Sequence, residues 1–171
     1  HRMAELGRRC YPGSATAHIY LGSLLMHNRS FDKDPQKRME LLFRAITEFR
    51  ECVAIFPGYT SAWYHLGYAY GEANRPGSAI AVYRKILELE PENPAAANKV
   101  GVLHVTRGEF DSAGRYFRHA RSIDTNYVSA LINLGAVNSA LNDNKSSLAW
   151  YTKALERDPH VIIPGLGDEA D

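Results

Sequence analysis

Three arginines stand at one fixed interval in the chain, because Arg50, Arg84 and Arg118 are each 34 residues apart. Together with Arg115 and Arg121 they could form a basic stripe that contacts phosphate groups. Glutamates lie near them in the sequence, however, and the formal net charge of the whole chain is only +1. We therefore interpret the stripe as a solvated face, and we do not expect nucleic acid as a partner.

The residues that most often carry catalysis show no catalytic spacing. The seven histidines are scattered, and no Ser-His-Asp order, glycine-rich phosphate loop or zinc-site spacing is recognisable. His18 and His104 fall in columns predicted to be buried, where hydrogen-bonded core residues are expected. Cys52 occupies a slot that alanine fills elsewhere, and we interpret it as a buried thiol. We expect no enzymatic activity, no metal and no cofactor.

Composition sets the class of protein. The chain has 171 residues, of which 45% are hydrophobic and 23% charged, which is typical of one globular domain with its own core. No apolar run approaches the roughly 20 residues of a membrane helix, so no membrane insertion is expected. The two cysteines, Cys10 and Cys52, make no disulfide framework. This favours a reducing compartment, with the cytoplasm as the default.

The elements that would position these side chains come from an internal repeat. Gly67, Gly101 and Gly135 follow one another at intervals of 34 residues. Alanine, aromatic and proline columns keep the same interval: Ala45, Ala79 and Ala113, then Ser147; Phe49, Tyr83, Phe117 and Tyr151; Pro57, Pro91 and Pro159, with Thr125 in the third slot. Agreement of four columns over about three periods indicates a structural repeat.

Each period predicts two amphipathic helices joined by a short turn. In one period these helices run from Ser61 to Ala73 and from Ser78 to Leu89. The recurring glycines and alanines are expected to let the helices approach closely, because a glycine inside a helix costs about 1 kcal/mol relative to alanine. The aromatic column is expected to fill the wider part of each seam between helices.

Capping residues support these helix starts. Asn93 precedes Pro94 and Asp34 precedes Pro35, which is the pattern of an N-cap followed by proline at the first helical position. Asp111 is expected to cap the helix that follows it.

The phased columns resemble the tetratricopeptide repeat, whose pattern is W-x2-L-G-x2-Y, then A-x3-F, then P. One period matches it position by position, with tyrosine in the phenylalanine slot: Trp63, Leu66, Gly67, Tyr70, Ala79, Tyr83 and Pro91. Looser copies follow, namely Val100, Gly101, Ala113, Phe117 and Ala120, and then Leu131, Leu134, Gly135, Tyr151, Ala154 and Pro159. The resemblance implies an all-α fold, a right-handed α-solenoid of antiparallel helix pairs.

We expect one array over residues 1–171. Its predicted parts are a partial repeat 1–12, repeat 1 at 14–57, repeat 2 at 60–93, repeat 3 at 94–127, repeat 4 at 128–161 and a tail 162–171. Gly22 precedes Gly67 by 45 residues, so repeat 1 carries 11 extra residues. They are predicted to lengthen its loop and its second helix, with helices from Ser14 to about His27 and from Pro35 to Ile55. Both ends look cut, and residues 164–171 are expected to be disordered.

In arrays that the chain resembles, the first helix of each pair lines a concave groove. The resemblance therefore implies eight partner-binding residues: Tyr64, Tyr68, Asn98, Lys99, Val102, Ile132, Asn133 and Ala136. A peptide would lie against Tyr64 and Tyr68 while Asn98 bonds to its backbone. Alternatively, the two tyrosines pack against a neighbouring helix.

One subset of the family grips a partner's C-terminal carboxylate with lysine and asparagine at fixed slots of this groove. Here Ile19 and Tyr64 stand in the lysine slots, while Ser23 and Tyr68 stand in the asparagine slots. The clamp is therefore absent.

The resemblance implies a non-enzymatic scaffold that binds a protein or peptide segment in the groove. Two alternatives stay open at this point. The chain could be the regulatory or substrate-presenting module of a larger enzyme, such as a transferase. It could also be a scaffold that self-associates through uncapped end repeats.

Overall fold

The computed structural model describes residues 14–163, which form eight α-helices and no strand. The helices, numbered here in chain order, are α1 Ala15–Phe31, α2 Pro35–Ile55, α3 Thr60–Glu72, α4 Pro76–Leu89, α5 Pro94–Thr106, α6 Phe110–Ile123, α7 Val128–Ala140 and α8 Asn144–Arg157. The predicted all-α fold is confirmed. The predictions for 1–12 and 164–171 fall outside the described residues.

The described residues divide into two compact units between Leu89 and Glu90. The first unit holds α1 to α4, and its largest fully buried side chains include Phe49, Leu25 and Leu42. The second unit holds α5 to α8 and is built around Phe117, Leu134 and Val100. Each unit therefore has its own core of aliphatic and aromatic side chains.

Each helix pair is held at one recurring contact, a glycine of the first helix against an aromatic ring of the second. The pairs are Gly22 with Phe49, Gly67 with Tyr83, Gly101 with Phe117 and Gly135 with Tyr151. A Cβ atom added to Gly67 would lie only 2.8 Å from Cζ of Tyr83, and one added to Gly22 would lie 2.5 Å from Cε1 of Phe49. The prediction that the rings fill a wider part of the seam is therefore wrong, because each ring rests directly on the glycine where the helices come closest.

The turns inside the helix pairs all have the same length, and three of the four share one backbone feature. Three residues join the helices of every pair, at 32–34, 73–75, 107–109 and 141–143. Asn74, Gly108 and Asn142 lie in the left-handed region with φ of 53°, 72° and 61°. Asparagine and glycine are the residues that adopt this conformation most readily, so they allow the chain to reverse in three residues.

The insertion in repeat 1 is helical. Helix α1 has 17 residues and α2 has 21, against 13 and 14 in α3 and α4. The predicted end of the first helix near His27 is wrong, because α1 continues to Phe31 and only three residues remain for the turn. The added lengths are close to one and two helical turns, so both helices return to the same phase at the turn.

Helix starts follow the predicted caps with one correction. The side chains of Asp34 and Asn93 accept hydrogen bonds from the backbone N–H groups of Gln36 and Ala96, at 2.9 Å in each case. Asp111 is not a cap, because α6 begins at Phe110 and places Asp111 inside its first turn. Its negative charge there favours the N-terminal end of the helix dipole.

A pair of alanine variants in α3 tests the glycine seam. Gly67→Ala should lower the free energy of unfolding by about 1–2 kcal/mol, because the Tyr83 ring must move away from the added methyl group. Gly71→Ala is the matched control, four residues further along the same helix, where an added Cβ meets nothing within 4 Å. It should be neutral or stabilise by up to about 1 kcal/mol. Urea unfolding measures both, and equal effects of the two variants would contradict the seam.

Candidate functional site

The first helices of the second unit present an apolar pocket of about 160 Å³. Its lining residues come from α5, α6 and α7: Val102, Val105, Phe110, Phe117, Asn133, Ala136, Val137 and Ala140. Three of the eight predicted partner-binding residues, Val102, Asn133 and Ala136, are therefore brought together here. A cavity of about 150 Å³ is enough for a benzene ring, so the pocket has room for one large apolar side chain.

The sequence analysis did not find the part of this pocket that comes from outside the first helices. Phe110 stands at the first position of α6, and Phe117 lies two helical turns further along, with its ring on Gly101. Phe117 belongs to the aromatic column, so the repeat could have pointed to it. Phe110 gives no such signal, because Pro76 and Asn144 stand one period before and after it.

Two asparagines join the helices beside the pocket. The amide nitrogen Nδ2 of Asn133 on α7 donates a hydrogen bond to the side-chain oxygen Oδ1 of Asn98 on α5, over 2.8 Å. Asn98 is only 7% exposed. Its carbonyl oxygen is thus engaged within the protein, and a bond to a ligand would come from its amide hydrogens or from the carbonyl of Asn133.

The remaining predicted residues of the second unit surround this pair. Lys99 is exposed on α5, and Ile132 is half-buried on α7. Neither lines the pocket. Lys99 directly follows Asn98 in the sequence, and Ile132 directly precedes Asn133. Each therefore neighbours one member of the asparagine pair.

In the first unit, the two predicted tyrosines differ in exposure. Tyr68 is 54% exposed on α3, whereas Tyr64 is half-buried and meets the Tyr83 ring edge-on with centroids 5.8 Å apart. Burial, with the nearby Tyr64 and Tyr68 hydroxyls as a smaller cause, raises the pKa of Tyr83 to about 12. The three phenols thus form one aromatic cluster in which Tyr68 is the most accessible member.

The histidines in the predicted core columns are hydrogen-bonded, as expected. His18 and Glu48 are both buried, and His18 Nδ1 donates to a Glu48 carboxylate oxygen over 2.7 Å. His104 Nδ1 lies 2.5 Å from a Glu109 oxygen, and its ring stacks on Tyr116. The hydrogen bond from His104, aided by Arg107, lowers the pKa of Glu109.

Cys52 is fully buried, and its thiol donates to the backbone oxygen of Ala15 over 3.1 Å. Burial raises its pKa, which is the opposite of what a reactive thiolate requires. Among residues 14–163, no three His, Cys, Asp or Glu side chains are placed to hold a metal ion. Over the same part of the chain, none of the helices has both the length and the apolar character needed to cross a bilayer.

The sequence matches family models of the tetratricopeptide repeat over most of its length. Residues 44–94 and 64–128 match one such model, and residues 128–161 match a second. The matched region begins inside α2 and ends after α8, so it includes the pocket, the asparagine pair and the tyrosine cluster.

Two curated proteins are similar to this chain over parts of their length. The anaphase-promoting complex subunit CDC16 of Saccharomyces cerevisiae is 23% identical over 121 residues, which are 67% of this chain and 14% of that protein. The BBSome complex member bbs-4 of Caenorhabditis elegans is 20% identical over 154 residues, which are 89% of this chain and 31% of that protein. The chain thus spans less than a third of either relative.

Solved structures of MamA share the fold. One crystal structure of MamA superposes with a TM-score of 0.79 at 20% identity, covering 92% of this chain and 86% of that one. MamA from Desulfovibrio magneticus RS-1 gives a TM-score of 0.78 at 17% identity and covers 92% and 83% of the two chains. At this level of identity the likeness shows the fold alone.

A double-mutant cycle tests the asparagine pair. Asn133→Leu should lower the free energy of unfolding by about 1–2 kcal/mol, because it leaves the buried oxygen of Asn98 without its donor. Asn98→Ile places at that slot the residue found one period later, Ile132. The double variant should be more stable than the sum of the single effects predicts, by about 1 kcal/mol. Additive effects in chemical denaturation would show that the two amides are not coupled.

Proposed function

Because the chain belongs to the tetratricopeptide repeat family, we propose that it is a protein-interaction scaffold that binds a partner segment on the first helices of its repeats. Stacked repeats of this kind offer extended binding surfaces rather than a single catalytic centre. The observation that carries the proposal is the apolar pocket of about 160 Å³ in the second unit.

The proposed ligand is a peptide segment with one large aliphatic or aromatic side chain. Val102, Val105 and Val137 supply apolar walls, and Ala136 is small enough to leave the pocket open. An apolar side chain that enters such a pocket is removed from water, which contributes roughly 1.5–3 kcal/mol for a residue of the size of leucine or phenylalanine.

Polar groups beside the pocket would orient that peptide. Asn98 and Asn133 hold each other across α5 and α7, so their remaining donors and acceptor stand in fixed positions. Lys99, which is exposed, adds a positive charge next to them. A fixed amide pair can bond to a peptide backbone, and this favours a ligand whose main chain is accessible next to its apolar side chain.

Tyr64 and Tyr68 extend the proposal to the first unit. Tyr68 carries its phenol on the surface of α3 at 54% exposure. Aromatic residues of this kind are common at protein interfaces because they combine a large apolar body with a polar hydroxyl. We assign to them a second segment of the partner.

The two curated relatives support an interaction role. Their names describe one as a subunit of the anaphase-promoting complex and the other as a member of the BBSome complex. A role inside a larger assembly is therefore part of the proposal for this chain. The partner itself is proposed only by its chemistry, as a segment that presents an apolar side chain.

Filling the pocket tests the proposal. Peptides selected from a random phage-displayed library against the protein should carry a recurring large apolar residue. They should bind the Ala136→Leu variant at least ~10-fold more weakly, because the leucine side chain occupies the space that the apolar side chain of the peptide would fill. Ser139→Leu is the control, because Ser139 is exposed on the same helix and does not line the pocket. Fluorescence anisotropy with labelled peptides gives the affinities.

The same experiment can contradict the proposal in two ways. Selected peptides without a common apolar residue would argue against the pocket. Equal binding to the wild type and to Ala136→Leu would show that the ligand surface lies elsewhere. Helix content measured by circular dichroism should be the same in both variants, since both positions face solvent.

A further inference from the structure

A second pocket of the second unit is lined mainly by charged side chains. It measures about 380 Å³, and its lining residues are Arg121, Thr125, Leu131, Lys153, Glu156 and Arg157. They come from the end of α6, the turn before α7, the first part of α7 and the end of α8. The pocket shares no lining residue with the apolar one.

Three cations converge on this pocket with a single carboxylate among them. Within residues 14–163, Arg121, Arg157 and Lys153 form no ion pair. Arg121 and Lys153 instead both lie against the indole of Trp150, with their charged groups 5.0 Å and 4.5 Å from the ring centroid. The ring restricts both side chains beside the pocket through cation–π attraction.

The repeat provides its own comparison for these positions. At the slot of Arg121, the two preceding repeats have Val53 and Leu87. At the slot of Arg157, the three preceding repeats have Ile55, Leu89 and Ile123. Thr125 stands where the other repeats have proline. Aliphatic residues thus satisfy the fold at these slots, and three departures from the repeat pattern meet in one pocket.

Helix electrostatics alone does not account for this arrangement. Arg121 and Arg157 lie in the last turns of α6 and α8, where a positive charge is favourable. The same turns of α2 and α4 carry no basic residue, so the fold does not require one. The helix dipole also gives no reason for the cations of two helices to line the same pocket.

We propose that this pocket binds an anionic group, a phosphoryl or a carboxylate, on a peptide segment of a partner. Arginine guanidinium groups bind such oxygens in pairs of parallel hydrogen bonds, and the Lys153 ammonium adds a point charge. The Thr125 hydroxyl can donate a further hydrogen bond. A pocket of three cations suits one anionic side chain, whereas nucleic acid favours a longer basic track and a more positive net charge than +1.

The test follows the Trp150 indole N–H signal in NMR for four probes and measures the affinities of the labelled peptides by fluorescence anisotropy. The probes are inorganic phosphate and a capped alanine pentapeptide with phosphoserine, glutamate or serine at its centre. Phosphate and both anionic peptides should shift the Trp150 signal, because the anion draws Arg121 and Lys153 off the ring. The serine peptide should not. The stronger of the two anionic peptides identifies the source of the anion.

Variants that restore the repeat pattern locate the site. Arg121→Leu with Arg157→Leu introduces the residues found at Leu87 and Leu89, so the fold should be retained. It should weaken binding of the anionic peptides at least ~10-fold, since charge-assisted hydrogen bonds are lost. Arg115→Leu with Lys145→Leu removes the same amount of charge from positions outside the pocket, and it should leave the affinity within about twofold.

Three results would overturn the proposal. The first is no shift of the Trp150 signal by any probe at millimolar concentration. The second is equal weakening by both double variants, which would mean that only overall charge matters. The third is tighter binding of a single-stranded RNA pentamer than of the phosphoserine peptide, with the RNA affinity lost in the Arg121→Leu, Arg157→Leu variant.

Discussion

The contact of a glycine with an aromatic ring is the constraint on which the rest of this structure depends. In each of the four helix pairs, the ring occupies the volume that a Cβ atom would need. Dispersion attraction falls off quickly with distance, so a pair of helices gains most when ring and backbone touch. The close approach fixes the offset between the two helices, and this offset decides which residues of the first helix face outward.

The first repeat shows how strong this constraint is. All 11 extra residues lie between Gly22 and Phe49, yet these two residues still meet as their counterparts do elsewhere. The insertion is tolerated because it is divided into whole helical turns, which leave the phase of each helix unchanged. Sequence periodicity identified the members of the seam. It could not reveal the division, because a polar stretch such as "HNRSFDKD" is compatible with a loop or with the exposed end of a helix.

Other features were open to sequence reasoning to different degrees. The caps at Asp34 and Asn93 could be predicted, because each precedes a proline that marks the first helical position. Asp111 could not be placed correctly, since Glu109 and Asp111 are both suited to a helix start and only the backbone decides between them. The pairing of Asn98 with Asn133 was also out of reach. This hydrogen bond depends on the relative position of α5 and α7. The spacing of residues along either helix does not predict that position.

The repeat separates what the fold needs from what it leaves free. Columns that stay constant, such as the glycines and the rings, account for packing. Positions where one repeat departs from the others are available for function: Asn98 stands in the column of Tyr64 and Ile132, and Arg121 in that of Val53 and Leu87. Asn98 bonds to Asn133, which lines the apolar pocket of the second unit, and Arg121 lines the cationic pocket of the same unit. We propose these two pockets as separate binding sites for one partner.

The most direct measurement of the central claim is the NMR signal of the glycine Hα protons. At each seam glycine, the position that a Cβ atom would take is held by one Hα proton. Three neighbouring ring atoms lie at similar distances from this position, so the proton points at the face of the ring in Gly22, Gly67, Gly101 and Gly135. Ring currents should shift these four protons upfield and give cross-relaxation to the aromatic protons of Phe49, Tyr83, Phe117 and Tyr151. Gly71 and Gly77, which face open space, should show neither effect. Ordinary shifts at the four seam glycines, without contacts to the rings, would contradict the account.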